Sequence, residues 1–464
     1  MKLMAMKRTH ILFILSIHML AFGMAVPSQG AEPKGNAQRK LDPRLQAFFK
    51  AKERHARALT KELKLNVSPD VWSYFDAGIK GDWAEVKSWW QELRRRAGQY
   101  EGTRMDETVQ TVAWQPVLEA ELAYEGFSAM DVKFIDAFAQ EVIGSIPRGS
   151  IYFGGTDYGR GLITALCKSH VDANPFFTIS QNPLASGPYL AYLRAMYGKK
   201  LKMPTDDDAK KAFDTYIAEA GARLERGEQK PGEEVSRDEK GRYSVSGQMA
   251  VMGINGLIAK TIFDANPRHE FYIEESFPLE WMYPHLSPHG LIMKLNREPL
   301  PGITTAMVRK DHDYWRKQTT RWIGDWLKEE TPLKTICDFA ERVYAEVNLE
   351  EFKGDQDFVL ADRRYSPQSI YSRLRTAQAT VYERRAKSAA APEERERMTK
   401  AAEFAYRQAF ALGPWAHEAV FRYEDFLKAQ NRPEEALMLV ESAARTNPGD
   451  KRLRQRAQAA KEEE

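Results

Sequence analysis

Apolar residues recur at spacings of three and four along the first third of the chain, a period that predicts amphipathic helices. The stretch Pro69–Arg96 divides into two such helices that meet at Gly81, and therefore predicts a helix–turn–helix. Phe134 and Phe138 continue the same period further along the chain. The pattern predicts an all-helical region over residues 31–145.

Several tryptophans fall within this helical region, among them Trp72, Trp89 and Trp90. Such a group of indole rings suits either a sugar-stacking platform or the packed core between helices. Because the rings recur at the helical period, the pattern favours the core.

The pattern changes between residues 146 and 300, where short apolar runs alternate with amphipathic helices. This alternation is typical of a parallel α/β sheet. The predicted strands are Ser150–Phe153, Phe176–Ser180, Leu201–Met203, Glu270–Glu274 and Gly290–Leu295. The predicted helices are a stretch from Arg160 to about Ser169, then Pro188–Tyr197, Ala209–Arg226 and Gly247–Asp264. The polar stretch Gly227–Tyr243 predicts an exposed loop or hairpin.

The C-terminal part contains an internal repeat. Ala402, Tyr406, Ala409 and Pro414 recur 34 residues later as Ala436, Val440, Ala443 and Pro448. This period and these residue types resemble the second helix of a tetratricopeptide repeat, in which a small residue allows close helix approach and proline ends the unit. The resemblance implies a surface that binds a protein partner, whereas helical hairpins that only fill space are the alternative.

The segments around the repeat complete the predicted architecture. We expect a helical connector over residues 301–365, repeats over 366–450 and a charged tail over 451–464. Within the repeats, a helix is predicted over Gln368–Lys387 and a looser segment over Ser388–Glu396. The fold class is thus α/β, with a helical N-terminal region, a central, mostly parallel α/β domain and C-terminal helical hairpins.

The N-terminus has the layout of a signal peptide over residues 1–30. Lys2, Lys7 and Arg8 precede an apolar run, and a polar segment follows with a favoured cleavage position before Ala31. The run is shorter than the roughly 20 residues that span a bilayer, which favours cleavage over an uncleaved anchor. No later stretch is apolar enough to span a membrane, so we expect a periplasmic or secreted chain without a further transmembrane segment.

Composition excludes several classes of protein. The 68 Lys and Arg against 65 Asp and Glu leave a formal charge of +3, too even for the charge-driven binding of nucleic acid. Nine histidines and two cysteines exclude a zinc-finger array and a disulfide-rich miniprotein. Cys167 and Cys337 either pair in an oxidising compartment or remain buried free thiols.

A glycine-rich loop follows the first predicted strand and carries the clearest candidate chemistry. Gly154, Gly155 and Thr156 precede a predicted helix, whose N–H groups can bind an anion with help from Arg160. Asp157 opposes a phosphate there, and the glycine spacing matches neither a P-loop nor a complete dinucleotide fingerprint. The alternatives are a structural turn capped by Asp157 and a catalytic role for this acid.

Polar residues also follow other predicted strands at the edge where parallel sheets bind ligands. Gln181 and Asn182 end the second strand, and Glu274 with Glu275 ends a later one. With Asp157, either glutamate can supply the carboxylate pair that glycoside hydrolysis requires. The candidate ligand-binding residues are Gly154, Gly155, Thr156, Asp157, Arg160, Gln181 and Asn182, and the candidate catalytic acids are Asp157, Glu274 and Glu275.

Metal and nucleophile chemistry has little support in the sequence. The acidic run after Thr205 suits a helix cap better than a metal site. Prolines around His285 and His289 make a zinc-binding helix there unfavourable. There is no Gly-x-Ser-x-Gly motif, and Cys167 has only His170 nearby as an activating base. We expect no metal and no cofactor.

Parts of the middle region resemble a known family. These parts are Gly149–Asp157, Phe176–Asn182, Tyr189–Arg194, Tyr197-Gly198, Phe271–Glu274 and Tyr283–Leu295. They resemble the soluble C-terminal region of bacterial multi-pass glycosyltransferases of the protein O-mannosyltransferase-like type. The resemblance implies an exported α/β domain that works near surface-glycan assembly. The family's membrane-embedded catalytic part is missing, so transferase activity is not implied, and the chain is more similar to exported proteins that join such a domain to a tetratricopeptide tail.

The sequence thus favours an exported, non-catalytic binding or scaffold protein with a partner-binding tail. A glycan or a phosphorylated sugar carrier is the candidate ligand of the α/β domain. The alternatives are an enzyme that acts on such molecules through the carboxylates, and a purely structural envelope component.

Overall fold

A computed structural model describes residues 42–98, 105–155, 157–274, 279–363 and 366–463 of the chain. The predicted signal peptide lies outside the described residues. A single cluster of buried apolar side chains runs from Leu45 near the start of this part to Ala460 near its end. The helical front, the sheet and the C-terminal helices therefore share one continuous core.

The front is helical, as predicted. Its helices are α1 (Pro43–Glu62), α2 (Pro69–Lys80), α3 (Trp83–Arg96), α4 (Trp114–Ala129) and α5 (Val132–Ser145). Gly81 ends α2 in the left-handed conformation with φ 78°, and the side chain of Asp82 caps α3 by accepting from Glu85 N at 3.0 Å. These two signals confirm the helix–turn–helix.

The tryptophans contribute to the core rather than to an open platform. Trp90 stacks on Trp114 with ring centres 5.6 Å apart, and Trp83 stacks on Tyr124 at 5.5 Å. Trp72 is half-buried beneath the guanidinium of Arg57.

The middle region contains a five-stranded sheet and a separate hairpin. The strands are β1 (Ile151–Gly154), β2 (Phe177–Ser180), β3 (Glu234–Arg237), β4 (Tyr243–Ser246), β5 (Phe271–Ile273), β6 (Leu286–His289) and β7 (Ile292–Leu295). The helices are α6 (Asp157–Leu166), α7 (Gly187–Tyr197), α8 (Asp206–Glu225), α9 (Gln248–Ala265) and a 3-10 helix (Glu280–His285). The sheet order is β2-β1-β5-β7-β6, and β3 with β4 forms the predicted exposed hairpin.

The prediction of a mostly parallel sheet is wrong for its second half. β1 pairs in parallel with β2 and β5, whereas β7 is antiparallel to both β5 and β6. β6 was not predicted, since no element was assigned from the sequence to the proline-rich stretch around His285 and His289; as an edge strand, β6 tolerates Pro288 because an outer N–H needs no partner. Gly290, with φ 62°, supplies the turn from β6 to β7.

The predicted strand Leu201–Met203 is also wrong. Its backbone is satisfied by a side chain instead of a neighbouring strand: Lys202 N donates to Asn266 Oδ1, and Lys202 O accepts from Asn266 Nδ2, both at 2.9 Å. A single side-chain amide thus takes the place of the backbone hydrogen bonds that a neighbouring strand would provide.

The C-terminal part is helical throughout its described length. Its helices are α10 (Thr305–Ile323), α11 (Leu333–Ala340) with a π-helical continuation (Glu341–Ala345), α12 (Gln356–Leu360), α13 (Pro367–Ser388), α14 (Pro392–Leu412), α15 (His417–Ala429), α16 (Pro433–Thr446) and α17 (Lys451–Glu463). The predicted loose segment is shorter than expected, because α14 begins at Pro392, where proline suits the first helical turn. The helical residues of the 34-residue repeat lie on α14 and α16, and all of them are buried.

The first helix of the tail is buried within the protein. Gln378 on α13 donates to Gly290 O at 2.8 Å and to Ile292 O at 3.1 Å, and thereby joins the helix to the sheet. The wholly buried Arg375 pairs with Asp311 on α10 at 2.7 Å. We call Asp311, Trp315, Arg375, Gln378, Tyr382 and Gln408 the junction network.

Candidate functional site

The carboxyl ends of three parallel strands form the edge that contains the predicted site. The chain leaves β1 through α6 to β2 on one side, and later returns to β5 on the other side of β1. The strand order therefore reverses next to β1, and such switch points form crevices where open α/β sheets bind ligands. Gly155 and Glu274 lie at this switch point.

Glu274 places a buried carboxylate directly at the glycine-rich loop. Its backbone N–H continues the sheet by donating to Phe153 O at 3.1 Å, and the residue is only 1% exposed. Its Oε2 accepts from Gly155 N at 3.1 Å. A β-carbon built on Gly159 would lie 1.6 Å from the same oxygen, so glycine is required where the carboxylate meets the first turn of α6.

The group that accepts from this loop is therefore the protein's own carboxyl group. The N-terminus of a helix favours negative charge, and the side chain of Glu274 lies at that position. Burial, and after it the charge of Glu274, raises the pKa of Tyr152, whose hydroxyl donates to Gly159 O at 3.2 Å. Sequence reasoning placed Glu274 at a strand end and paired it with Asp157 as a candidate catalytic acid, but did not predict its contact with the backbone of Gly155.

Gln181 and Asn182 lie at the same edge. Gln181 N donates to Gly154 O at 3.0 Å, and Asn182 Nδ2 donates to Gly155 O at 3.1 Å. Asn255 on α9 secures this corner by donating to Asn182 O at 2.5 Å and accepting from Ala185 N at 2.6 Å.

The amide of Gln181 is conspicuous because it is wholly buried. Within the described part of the chain, neither its Nε2 nor its Oε1 has a hydrogen-bond partner, and the same holds for Asn182 Oδ1. Unsatisfied buried polar atoms cost about 1–3 kcal/mol each, so their presence needs a reason.

The remaining predicted site residues divide into two groups. Asp157 begins α6 and Arg160 lies in its first turn, packed against Gly154. Thr156, Glu275 and the side chain of Asp157 lie outside the described residues, so the structure brings together Gly154, Gly155, Arg160, Gln181, Asn182 and Glu274 of the predicted set.

A second polar cluster, which sequence reasoning missed, joins the helical front to the α/β domain. Lys52 on α1 is fully buried, and its ammonium group bonds Glu119 on α4 and the ring of His170, as well as Tyr192 OH on α7 at 3.0 Å. Tyr192 OH donates to Glu119 Oε2 at 2.7 Å. We call Lys52, Glu119, His170 and Tyr192 the lysine cluster.

Electrostatics of the lysine cluster follow from burial and from these contacts. Burial raises the pKa of Glu119, but the charge of Lys52 and the contacts with His170 together outweigh it and hold the pKa below its usual range. Burial, reinforced by the charge of Lys52, lowers the pKa of His170. The nearby His55 has its pKa lowered to about 3, first by burial and then by Lys52.

The signal for this cluster was present in the sequence. The buried stripe of α1 includes Phe48, Lys52 and Ala56 at spacings of four. A lysine on the core face of a helix requires a buried partner, although the sequence does not say which one.

The lysine cluster lies close to the sheet edge. Burial raises the pKa of Tyr189 on α7, the charge of Glu119 adds to this, and Arg160 opposes it. Tyr189 OH also accepts from Ser180 N at 2.7 Å, at the end of β2. Tyr189 therefore connects the two polar regions.

Other predicted chemistry takes structural roles. Thr205 and Asp208 form a capping box at α8, which confirms the acidic run as a cap. His285 Nδ1 lies 2.8 Å from Asn296 O, and His289 Nε2 lies 2.9 Å from Ser145 O. Among the described residues, no group of three or more His, Cys, Asp or Glu side chains could hold a metal ion.

The two cysteines are separate, buried thiols. Burial raises the pKa of Cys167 to about 12, and His170 is engaged with Lys52, so this thiol is not activated as a nucleophile. None of the helices in the described ranges is long and apolar enough to cross a membrane.

Comparison with protein-family models, with curated proteins and with solved structures finds no match to this chain. The fold and the two polar regions therefore provide the basis for a functional interpretation.

Proposed function

We propose that this chain is an exported, non-catalytic binding protein that works near surface-glycan or envelope assembly. The observation that carries the proposal is the switch point of the sheet, where Gly155, Gln181 and Glu274 converge. Export rests on the signal-peptide layout of residues 1–30. The link to glycans rests on the resemblance of the α/β region to exported domains of glycosyltransferases.

The C-terminal helices supply the surface for a protein partner in this proposal. Since most of α13 is buried against the rest of the protein, only its outer side is available. That side borders a cleft of about 440 Å³ lined by Thr380, Glu383, Arg384, Lys387, Ser388 and Arg422. Glu383 and Lys387 form an ion pair there, so the cleft presents both signs of charge to a partner.

Thermal unfolding of the purified chain with added ligands tests the binding function. The ligands are uncharged oligosaccharides, sugar nucleotides and polyprenyl phosphates. A ligand that binds only the folded state stabilises it by about 2.7 kcal/mol at a hundredfold excess over the dissociation constant. Loss of the shift in Arg160→Ala would locate the site at the sheet edge, whereas no shift with any ligand class would contradict a ligand-binding role for this domain.

An enzyme that acts on glycans or on a phosphorylated sugar carrier is the second candidate. The observation that favours it is the buried carboxylate of Glu274 at the switch point, on the edge to which Asp157 also belongs. General acid or base catalysis by such a group contributes about 10²–10⁴-fold to a rate. Turnover of an oligosaccharide that falls by at least about 100-fold in Glu274→Gln would support the enzyme, and binding without turnover would support the first proposal.

A further inference from the structure

The lysine cluster attaches α1 to three other parts of the protein. Lys52 on α1 bonds Glu119 on α4, His170 in the loop between α6 and β2, and Tyr192 on α7. The attachment of α1 thus combines an apolar face with a buried polar contact, and the polar contact is the part that responds to pH. The apolar side chains that α1 places in the core are Leu45, Phe48, Phe49, Ala56 and Leu59.

The histidines in the described part of the chain differ in what their rings face. Five of them have a ring nitrogen 2.7–2.9 Å from an oxygen atom, and such a ring keeps an acceptor when it gains a proton. His55 and His170 lack this arrangement. His55 Nδ1 is buried without a partner in the described chain, and His170 Nε2 bonds the ammonium group of Lys52. The five paired histidines are His269, His285, His289, His312 and His417.

A proton on His170 disturbs its contact with Lys52. An ammonium group only donates, so His170 Nε2 accepts from Lys52 through its lone pair. A proton at Nε2 removes this acceptor and places two positive charges side by side. Glu119 Oε2, 3.3 Å from Nε2, already accepts from Lys52 and Tyr192. Tyr197 OH keeps the loop in place by donating to His170 O at 2.8 Å.

His55 adds a second basic ring beside the same carboxylate. Asp172, in the loop that carries His170, is exposed, so water and salt screen its charge. With both histidines neutral, Lys52 and Glu119 balance each other, and every added proton leaves a surplus positive charge in the cluster. The charged and titratable groups around the His55 ring are Lys52 on α1, Glu119 on α4, His170 and Asp172 in the loop, and Tyr192 on α7, whose ring centre is 5.5 Å away.

We propose that the lysine cluster is a pH switch that holds α1 in place at neutral pH and releases it in mild acid. Protonation of His55 and His170 promotes the opening of α1, while the five-stranded sheet and the C-terminal helices stay folded. The open state relieves the surplus charge at both rings, because His55 moves into water with the helix and Lys52 moves away from His170. The switch adds regulation by pH to the proposed binding function and does not depend on which ligand is bound.

The sheet and the C-terminal helices are held together by a contact of a different kind. The junction network joins them through Arg375, Asp311 and Gln378, and it contains no histidine. His312 lies beside it on α10, but its Nδ1 is 2.8 Å from Glu329 Oε1, which balances an added proton. Acid therefore acts on the attachment of α1 before it acts on the junction network.

Hydrogen exchange of the backbone amides tests the switch, measured by mass spectrometry on the purified chain at pH 7 and pH 5. Protection factors remove the effect of pH on the chemical rate of exchange. A histidine that binds its proton only in the open state raises the opening constant by about 25-fold between these two pH values. We expect the protection of α1 to fall by at least that factor, and at pH 5 to lie below the protection of α14.

Three variants identify the groups that operate the switch. His55→Gln and His170→Gln each remove one titrating ring, so α1 should lose less protection at pH 5 in either variant than in the wild type. Lys52→Met should also reduce the loss, because Glu119 can then accept from a protonated His170. His417→Gln is the matched control and should retain the wild-type loss, since this histidine stays on the folded α15 whether α1 is open or closed.

Three results would overturn the proposal. If α1 and α14 are equally protected at pH 5, α1 opens only when the whole molecule unfolds. If α1 keeps its full protection from pH 7 to pH 5, the cluster does not respond to acid. If the loss persists unchanged in His55→Gln and in His170→Gln, other groups cause it; should one of these variants not fold, the other provides the comparison.

Discussion

Two polar clusters, each built around a buried ion pair, connect the three parts of this protein, and they differ in how their charges are balanced. In the junction network, Arg375 bonds Asp311 at 2.7 Å and the amide oxygens of Gln378 and Gln408 at 2.8 Å each. Asp311 also accepts from Tyr382 OH at 2.9 Å. Both charged side chains are at most 1% exposed, so the network is shielded from water, and Asp311 Oδ1 and Arg375 Nη2 have no hydrogen-bond partner within the described part of the chain.

The lysine cluster is more exposed to water than the junction network, and more groups converge on a single oxygen atom in it. Lys52 and Tyr192 donate to the same oxygen of Glu119, and His170 Nε2 lies 3.3 Å from it. The Glu119 side chain is 16% exposed, whereas that of Lys52 is 1% exposed. When the pair is broken, Glu119 can therefore be hydrated, whereas Lys52 cannot.

The difference shows that burial alone does not distinguish a structural ion pair from a responsive one. Where several donors and acceptors surround each charge, removal of either partner leaves an uncompensated charge in the core. Where one carboxylate accepts hydrogen bonds from several cationic or neutral donors, the loss in the free energy of unfolding depends on which partner is substituted and on pH. The predictions below test this contrast.

The largest expected effect belongs to the junction network. Asp311→Ala should lower the free energy of unfolding by about 4 kcal/mol, because it leaves the guanidinium of Arg375 buried without its counter-charge. Urea denaturation measures this loss. Replacing both Asp311 and Arg375 by leucine should recover part of it, and Lys334→Ala, at an exposed pair with Asp338, should cost no more than about 0.5 kcal/mol. A loss in Asp311→Ala as small as that of the control would show that the pair is not structural.

In the lysine cluster, substitution of the carboxylate and substitution of the lysine should reduce stability by different amounts. Glu119→Gln should cost about 3 kcal/mol, since Lys52 then remains as a buried charge without a carboxylate. Lys52→Met should cost less, because Glu119 keeps the hydroxyl of Tyr192 and reaches water. The two variants are compared by urea denaturation at pH 7, and equal losses would contradict the proposed difference in exposure.

Acid should destabilise the protein through the histidines of this region. The pKa of His55 is lowered to about 3 in the fold, whereas an unfolded histidine titrates near 6.5. Between these values the unfolded chain binds more protons, so the free energy of unfolding falls as the pH decreases from 6.5. At pH 5, His55 alone accounts for about 2 kcal/mol of this loss, and His170 acts in the same direction.

Stability measured at pH 7 and pH 5 tests this prediction. In His55→Gln the difference between the two values should shrink by about 2 kcal/mol relative to the wild type. Ser236→Ala, which changes an exposed hydroxyl group that bonds Ser244 and does not titrate, is the control and should retain the wild-type difference. An unchanged difference in His55→Gln would show that this ring does not titrate on unfolding.

The smallest expected loss of stability follows from removing one tyrosine hydroxyl group in each of the two clusters. Tyr192→Phe should cost about 1.5 kcal/mol, because its hydroxyl both accepts from Lys52 and donates to Glu119. Tyr382→Phe should cost less, since Asp311 retains Arg375 and loses only one donor. Urea midpoints of the two variants give the comparison, and the reverse order would contradict it.

Much of the local structure was predictable because its causes are local. Glycine at position 81 and aspartate at 82 determine a helix end and a helix start within a few residues. The capping box of Thr205 and Asp208 and the strand before Gly154 follow from similarly short patterns. The wrong strand at Leu201–Met203 shows the limit, because a side chain 64 residues away satisfies that backbone.

The candidate site was predictable only in part. Strand ends identified Gln181, Asn182 and Glu274, because parallel strands share an edge. The contact of Glu274 with Gly155 spans 119 residues, and that of Lys52 with His170 spans 118. No short pattern encodes which of these partners will meet.

The sequence by itself determined the helices and their caps, the alternation of strand and helix in the middle region and the repeat period of the tail. Each of these depends on neighbours within a turn of helix or a strand. The tertiary structure alone decided the antiparallel half of the sheet, the burial of α13 against it, and the internal carboxylate that occupies the glycine-rich loop. These features depend on which distant surfaces are brought together when the common core forms, and the free energy of that burial is shared by the whole chain.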